Sequence, residues 1–332
     1  DTGTAKDVSG KSTKDMHSSD FCKLITYHSC RNITCSLCGG YQEATRNTDG
    51  TYEIGNASQL YWFADKVNNE NGTYGNANAV LTKDIVVNQH VLTSDGTLNG
   101  DGNSFKSWTP IGTSTSPFTG TFDGGNHTIN GLYFYNTNTN YIGLFGYLGE
   151  NGKISNVGVQ DSYLMGYEWD GGICGYNSGA TIENCYYTGT VSGSWGHIGG
   201  ICGYSENGMI QNCYNTGTVS GEMYHIGGIC GGSSLSTIKN CYNTGAVSGS
   251  YAGGVCGNSE NSGNTVKNCY NTGAVSGSSE AGGVCGTSDW DTIANCYNIG
   301  KVAGSSNVGG VCGCYSGNTM SNCYYNNEVY AG

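Results

Sequence analysis

The sequence predicts an all-β fold, a parallel β-helix or solenoid with a short N-terminal capping helix and a small cysteine-containing N-terminal module. Three observations predict it. A unit of 27 to 28 residues recurs along the chain from Gly171 onward, and a fixed period of this length is the signature of a repeat architecture. The 332 residues include 57 Gly and only 2 Pro, with charged residues at 11%, a balance that disfavours a helical bundle rich in Ala, Leu, Glu and Lys. Hydrophobic residues at 36% are too many for a disordered chain, and they fall in short β-prone runs such as Thr181-Ile182 and Thr190-Val191 separated by turn residues.

The repeat justifies the solenoid. Its core reads GGICG, a variable loop, then xNCYNTGxVSG. The first cysteines of the units are Cys174, Cys202, Cys230, Cys256, Cys285 and Cys312; the second are Cys185, Cys213, Cys241, Cys269, Cys296 and Cys323, in steps of 28, 28, 28, 27 and 27. A cysteine-free copy precedes them, with Phe145 and Val157 at the two cysteine positions, and a more diverged one begins near Phe118. No unit can bury a core alone, but stacked units can, each forming one coil with like positions in ladders ~4.8 Å apart. Asn184, Asn212, Asn240, Asn268, Asn295 and Asn322 are then expected as an asparagine ladder at a corner. Tyr186, Tyr214, Tyr242, Tyr270, Tyr297 and Tyr324 are expected as a parallel tyrosine ladder.

Ahead of the repeats, Leu60, Phe63, Ala64 and Val67 have the spacing of one amphipathic helix face. This predicts a helix over about 58–68, capped by Ser58, which closes the N-terminal end of the solenoid. The domain reading is a cysteine-rich module or arm over 1–49, a cap with first strands over 50–117, and the solenoid over 118–332, with a boundary near Asp49. The chain opens at Asp1 and reads as a processed or excised piece of a longer precursor. The C-terminal coil shows no cap, so its sheet edge is expected to be covered by more chain or by another molecule.

GLFGYL with the GGICGYNSG and NCYNTGTVSG series resembles the GLUG-motif repeats of large secreted and surface proteins of anaerobic gut-type bacteria. YEIGNASQLYWFADKVN, WTPIGT and FTGTFDGGNHTINGLYF look like the entry segment that accompanies such repeats, so the resemblance covers about residues 50–332. It implies a right-handed β-solenoid on an extracellular surface protein, often an adhesin. Some relatives are immunoglobulin A1 metallopeptidases whose chemistry resides in an HExxH helix; this sequence contains no HExxH, and that activity is not carried over.

Seventeen cysteines dominate the chemistry. Both repeat cysteines are absent together in the copy with Phe145 and Val157, which suggests pairing within a coil: Cys174 to Cys185, Cys202 to Cys213, Cys230 to Cys241, Cys256 to Cys269, Cys285 to Cys296 and Cys312 to Cys323. Each bridge would close a short loop and contribute ~3 kcal/mol in the chain-entropy picture. Two ladders of buried, reduced cysteines are the main alternative and a metal ladder the remaining one. Cys22, Cys30, Cys35 and Cys38 read first as two disulfides of a small loop-rich module and otherwise as a four-cysteine zinc site with His28 as a substitute ligand, and no other cofactor is called for. Cys314 is left as the odd thiol.

Other candidates are fewer. Asp161, Glu168 and Asp170 form the one local acid group, to be weighed against a solvated loop. His197 and His225 lie 28 apart at one position of the repeat, so a two-rung histidine stack that binds metal is weighed against plain surface loop residues, the reading favoured. The tyrosine ladder is a possible binding face for sugar rings or apolar partners, set against stacking for stability alone.

With 13 basic against 25 acidic residues and net charge -12, nucleic acid is not expected as a partner. No apolar run approaches the ~20 residues that span a bilayer. The function expected is an extracellular, structural and adhesive solenoid without catalysis, with head-to-tail self-association and a host or glycan ligand as candidate partners. The alternatives are a carbohydrate-binding or polysaccharide-cleaving solenoid and a passive stalk.

Overall fold

Four parallel sheets wrap around one narrow core in the computed structural model, which describes residues 40–326 and the backbone of 330–331. Each full coil gives one strand to each sheet in turn. In one coil these are Cys174–Ser178, Thr181–Glu183, Tyr186–Tyr187 and Thr190–Gly199; we call the sheets by their recurring residue the cysteine, isoleucine, tyrosine and valine sheets. Their register is set by the period. Cys174 pairs with Cys202, Ile182 with Ile210, Tyr186 with Tyr214 and Val191 with Val219. The Phe145 coil continues the columns, with Phe145 beside Cys174.

The columns explain the core. Ile154, Ile182, Ile210 and Ile293 on one side and Val191, Val219 and Val275 on another are almost completely buried, with both cysteine columns between them. Burial of such side chains is worth about 1.5–3 kcal/mol each, and no single coil could collect it alone. The paired glycines of GGICG make the corner into the cysteine sheet: a Cβ on Gly199 would lie 1.9 Å from the Cys202 carbonyl oxygen, so only glycine fits that turn. One irregularity is self-correcting. Ile226 pairs with Ala252, 26 residues on, where Val219 pairs with Val247, 28 on; the two residues lost there are restored around Asn261, Ser262 and Gly263, all at positive φ.

At the N-terminal end, strands β1 (Thr45–Arg46) and β2 (Tyr52–Ile54) form an antiparallel hairpin. Asp49, where the domain boundary was expected, sits in the hairpin turn. Helix α1 spans Ala57–Asn69, close to the predicted 58–68. Its cap is Asn56, whose side chain accepts from the Gln59 N–H at 3.0 Å; Ser58, the expected cap, instead accepts from Gln42 N–H at 2.7 Å. Leu60, Phe63, Ala64 and Val67 are fully buried, and Phe63 meets Phe118 and Phe122 edge-on or tilted at 5.9 and 6.4 Å. The predicted helix face therefore seals the core.

Candidate functional site

The asparagine corner forms as expected. Asn184, Asn212, Asn240, Asn268, Asn295 and Asn322 all take left-handed φ of 50 to 54°, which asparagine tolerates. Each donates from Nδ2 to the Oδ1 of the asparagine one coil back at 3.0–3.1 Å. A second asparagine column, which the sequence reading missed, runs inside. Asn215, Asn243, Asn271 and Asn298 are buried and linked Nδ2 to Oδ1 at 2.8 Å per step. Its signal is the second asparagine of NCYNTG.

The thirteen described cysteines are free thiols in the structure. The bridges expected within single coils, Cys174–Cys185, Cys202–Cys213, Cys230–Cys241, Cys256–Cys269, Cys285–Cys296 and Cys312–Cys323, are not formed in it. Thiols of both columns instead donate locally, as Cys174 does to the Tyr176 carbonyl at 3.2 Å and Cys185 to the Glu183 carbonyl at 3.1 Å. Neighbours lie along the column, Cys202 being in contact with Cys174 and Cys230. Burial pushes the thiols of Cys202, Cys230, Cys256 and Cys285 well up. Cys314 is exposed. Cys22, Cys30, Cys35 and Cys38 lie outside the described residues.

From Tyr186 to Tyr297 the tyrosine column stacks at 4.8 to 5.0 Å with rings within 3–4° of parallel. Each inner face is thus covered by the next ring, so Tyr214, Tyr242 and Tyr270 present edges and hydroxyls. Sugar stacking needs open faces, and this column is the stability arrangement set against binding. Tyr324 continues the register beside Tyr297.

The three acids of the local group separate. The Asp161 carboxylate anchors the N-terminal loop, accepting from Val91 and Leu92 N–H at 3.3 and 2.9 Å. Asp170 is buried, accepts from Ile142 N–H at 3.3 Å and leaves Oδ2 without a partner among the described residues; burial holds its carboxyl well above the usual range. Glu168 alone joins a cluster.

That cluster lies at the corner between the valine and cysteine sheets. Tyr141, Trp169, His197 and His225 occupy one position of successive coils and share φ of 56 to 64°. Such left-handed backbone is uncommon outside glycine, and here the repeat imposes it. Across the corner, Tyr147, Tyr176 and Tyr204 stack at 4.8 and 5.3 Å, and this outer column stops at Gly232, the register partner of Tyr204. A Cβ on Gly232 would meet His197 Cδ2 at 2.5 Å and Tyr204 Cδ2 at 2.8 Å, so the missing side chain makes room for the histidine. Into that room Glu260 reaches from two coils on, with Oε1 3.4 Å from His197 Nε2 and Oε2 accepting from Tyr204 Oη at 3.1 Å. His225 Nδ1 is 3.0 Å from His197 Nε2, and Glu168 Oε1 is 3.3 Å from His197 Nδ1.

The electrostatics of the pair are opposite. Burial would lower the His197 pKa, but hydrogen bonds to Glu168 and Glu260 outweigh it and raise it. Burial and the neighbouring His197 bring His225 down to about 4. The two-rung histidine stack was legible from the 28-residue spacing. Glu260 was not, because its partner lies 63 residues away and only the interruption at Gly232 lets the two meet.

Fold and columns together define a parallel β-solenoid of in-register coils. The model of the family described as "The GLUG motif" matches residues 171–192 and 196–220, so the β-solenoid carries GLUG-motif repeats. It is 31% identical over 147 residues to halomucin of Haloquadratum walsbyi, covering 44% of this chain. It is 40% identical over 57 residues, 17% of this chain, to a "Putative Gly-rich membrane protein" of Evansella cellulosilytica. The matched stretches span 2% and 7% of those two proteins. A crystal structure of a "putative immunoglobulin A1 protease" from Bacteroides ovatus superposes with TM-score 0.61 at 24% identity, covering 86% of this chain and 87% of that one; the likeness is one of fold.

Proposed function

We propose that the chain is an extracellular structural and adhesive segment of a cell-surface protein, with no catalysis of its own. The observation that carries this reading is the continuity of the columns: successive coils are tied by the outer asparagine ladder from Asn156 to Asn322, by the stacked tyrosines from Tyr186 to Tyr297 and by the inner ladder from Asn215 to Asn298, which makes a stiff rod suited to display. The names of halomucin and the Gly-rich membrane protein support a surface setting, and among the described residues no helix is long and apolar enough to cross a membrane. Head-to-tail stacking belongs to the proposal. In the last described coils Met320 is 40% exposed where Ile182, Ile210 and Ile293 are fully covered, a surface that further coils or a second copy would cover. The zinc reading of Cys22, Cys30, Cys35 and Cys38 stays part of the proposal for the N-terminal module.

A second reading, glycan binding along one flank, is favoured by Trp195 and Tyr224, 42% and 37% exposed. Trp195 stacks on Tyr167 at 6.1 Å, Tyr224 stacks on Tyr251 at 5.3 Å, and the two rings meet edge to face at 6.2 Å, an aromatic run along the flank for contact with a glycan. One experiment separates the readings: the purified chain and its Trp195→Ala variant are applied to a glycan array and to immobilised host cells. Retention without released oligosaccharide is expected. Loss of retention in the variant assigns the flank; oligosaccharide release would overturn the non-catalytic reading.

A further inference from the structure

We propose that His197, His225 and Glu260 form a site for one divalent transition-metal ion of the zinc type, with a fourth position open to solvent. Three donor atoms converge: His197 Nε2, His225 Nδ1 and Glu260 Oε1 are mutually 3.0, 3.4 and 3.7 Å apart. Ligands about 2.05 Å from a tetrahedral ion stand about 3.35 Å apart, which is the mean of those three edges. An ion placed about 2.05 Å from each atom lies only about 0.6 Å out of their plane, as in one face of a tetrahedron. Two imidazoles and a carboxylate are a donor set suited to zinc and its neighbours, whereas magnesium and calcium prefer oxygen alone.

The surroundings are those of a supported site. Glu168 Oε1 accepts the Nδ1 proton of His197 at 3.3 Å, which turns the Nε2 lone pair inward; a carboxylate behind a ligating histidine is the usual outer-shell device. Tyr204 Oη holds the second oxygen of Glu260 at 3.1 Å. Asn258 Nδ2 stands 3.2 Å from His225 Nε2 and 2.9 Å from Glu260 Oε1, so it touches two of the three ligands. The imidazoles and Glu168 have side chains 15–20% exposed and Glu260 31%, so the triangle is sheltered while its outer side is reachable by water or a partner's ligand.

Binding requires one rearrangement. Without the ion, His225 Nδ1–H donates to His197 Nε2. With it, the His225 proton moves to Nε2, and the Asn258 amide turns so that Oδ1 accepts from that N–H. The proton stays on His225, so the rearrangement releases none, and binding needs only that Nε2 of His197 and Nδ1 of His225 each present a free lone pair.

Cobalt(II) is the probe. The full chain, its accessible thiols alkylated, is titrated with Co2+ and then with competing Zn2+, beside His225→Ala, Glu260→Gln and Glu168→Gln. One equivalent giving four-coordinate visible absorption without thiolate charge transfer is expected in the wild type. That equivalent should be lost in the first two variants, and affinity should fall at least tenfold in the third. An unchanged spectrum and stoichiometry in His225→Ala and Glu260→Gln, or no such absorption in the wild type, overturns the site. Should either variant fail to fold, the wild type still decides: saturating Zn2+ must shift the ring nitrogens of His197 and His225, and unshifted rings refute the proposal.

Discussion

Replacing Asn243 by alanine removes four hydrogen bonds from inside the solenoid: 2.8 Å from Asn215, 2.8 Å to Asn271, 2.8 Å to the Gly245 carbonyl and 3.2 Å from the Gly245 N–H. The neighbours are only partly orphaned, since Asn215 keeps its bond to Gly217 and Asn271 keeps that from Gly273. Gly245 loses both side-chain partners where water cannot replace them. At about 1–3 kcal/mol per unsatisfied buried group, the cost is about 3–5 kcal/mol. Asn240→Ala, three residues away, is the control. It breaks two bonds of the outer ladder, but these are exposed and water takes their place, leaving mainly the left-handed backbone cost of about 1 kcal/mol. Because a repeat array need not unfold in one step, the assay is coil-resolved hydrogen exchange with urea titration. Exchange protection should collapse first around 241–247 in Asn243→Ala and barely change in Asn240→Ala. Equal losses in the two variants, or a larger loss in Asn240→Ala, would refute the reasoning that the buried inner ladder contributes more to coil-to-coil cohesion than the exposed outer one.

Native alkylation followed by intact mass should label Cys314 first and the half-buried Cys323 next among the described cysteines, with the eleven buried column thiols reacting only after unfolding, because burial both covers these thiols and suppresses the thiolate. A native mass two hydrogens lower per pair would instead show bridges. Asp170→Asn should remove a pH slope: the folded carboxyl binds its proton more tightly than the unfolded one, so its contribution is fully present below the ordinary pKa of about 3.9 and falls by about 1.4 kcal/mol per unit as pH rises toward the folded value. Urea midpoints at pH 4 and 7 test it, and a wild-type-to-variant difference independent of pH counts against it. Phe63→Ala, a buried cap residue, should cost about 3–5 kcal/mol, with exchange at the first coils accelerating before the rest; uniform acceleration along the rod would contradict the capping role.

The 27- to 28-residue period determined what stacks on what. The outer asparagine ladder, the continuity of Phe145 with Cys174, the pairing of His197 with His225 and the parallel tyrosines all follow from translation by one coil, and translation is a property of sequence alone. The amphipathic spacing of Leu60, Phe63, Ala64 and Val67 likewise located the cap helix, though not its capping residue. What lies across a coil obeys no such rule. Whether Asn215 and Asn243 turn inward, and whether Cys174 meets Cys185 or Cys202, depends on how the glycine and asparagine corners close the cross-section into four sheets. Glu260 shows the limit most clearly: it reaches His197 because Gly232 interrupts a column of tyrosines, and a gap has consequences only once the neighbouring side chains have positions in space.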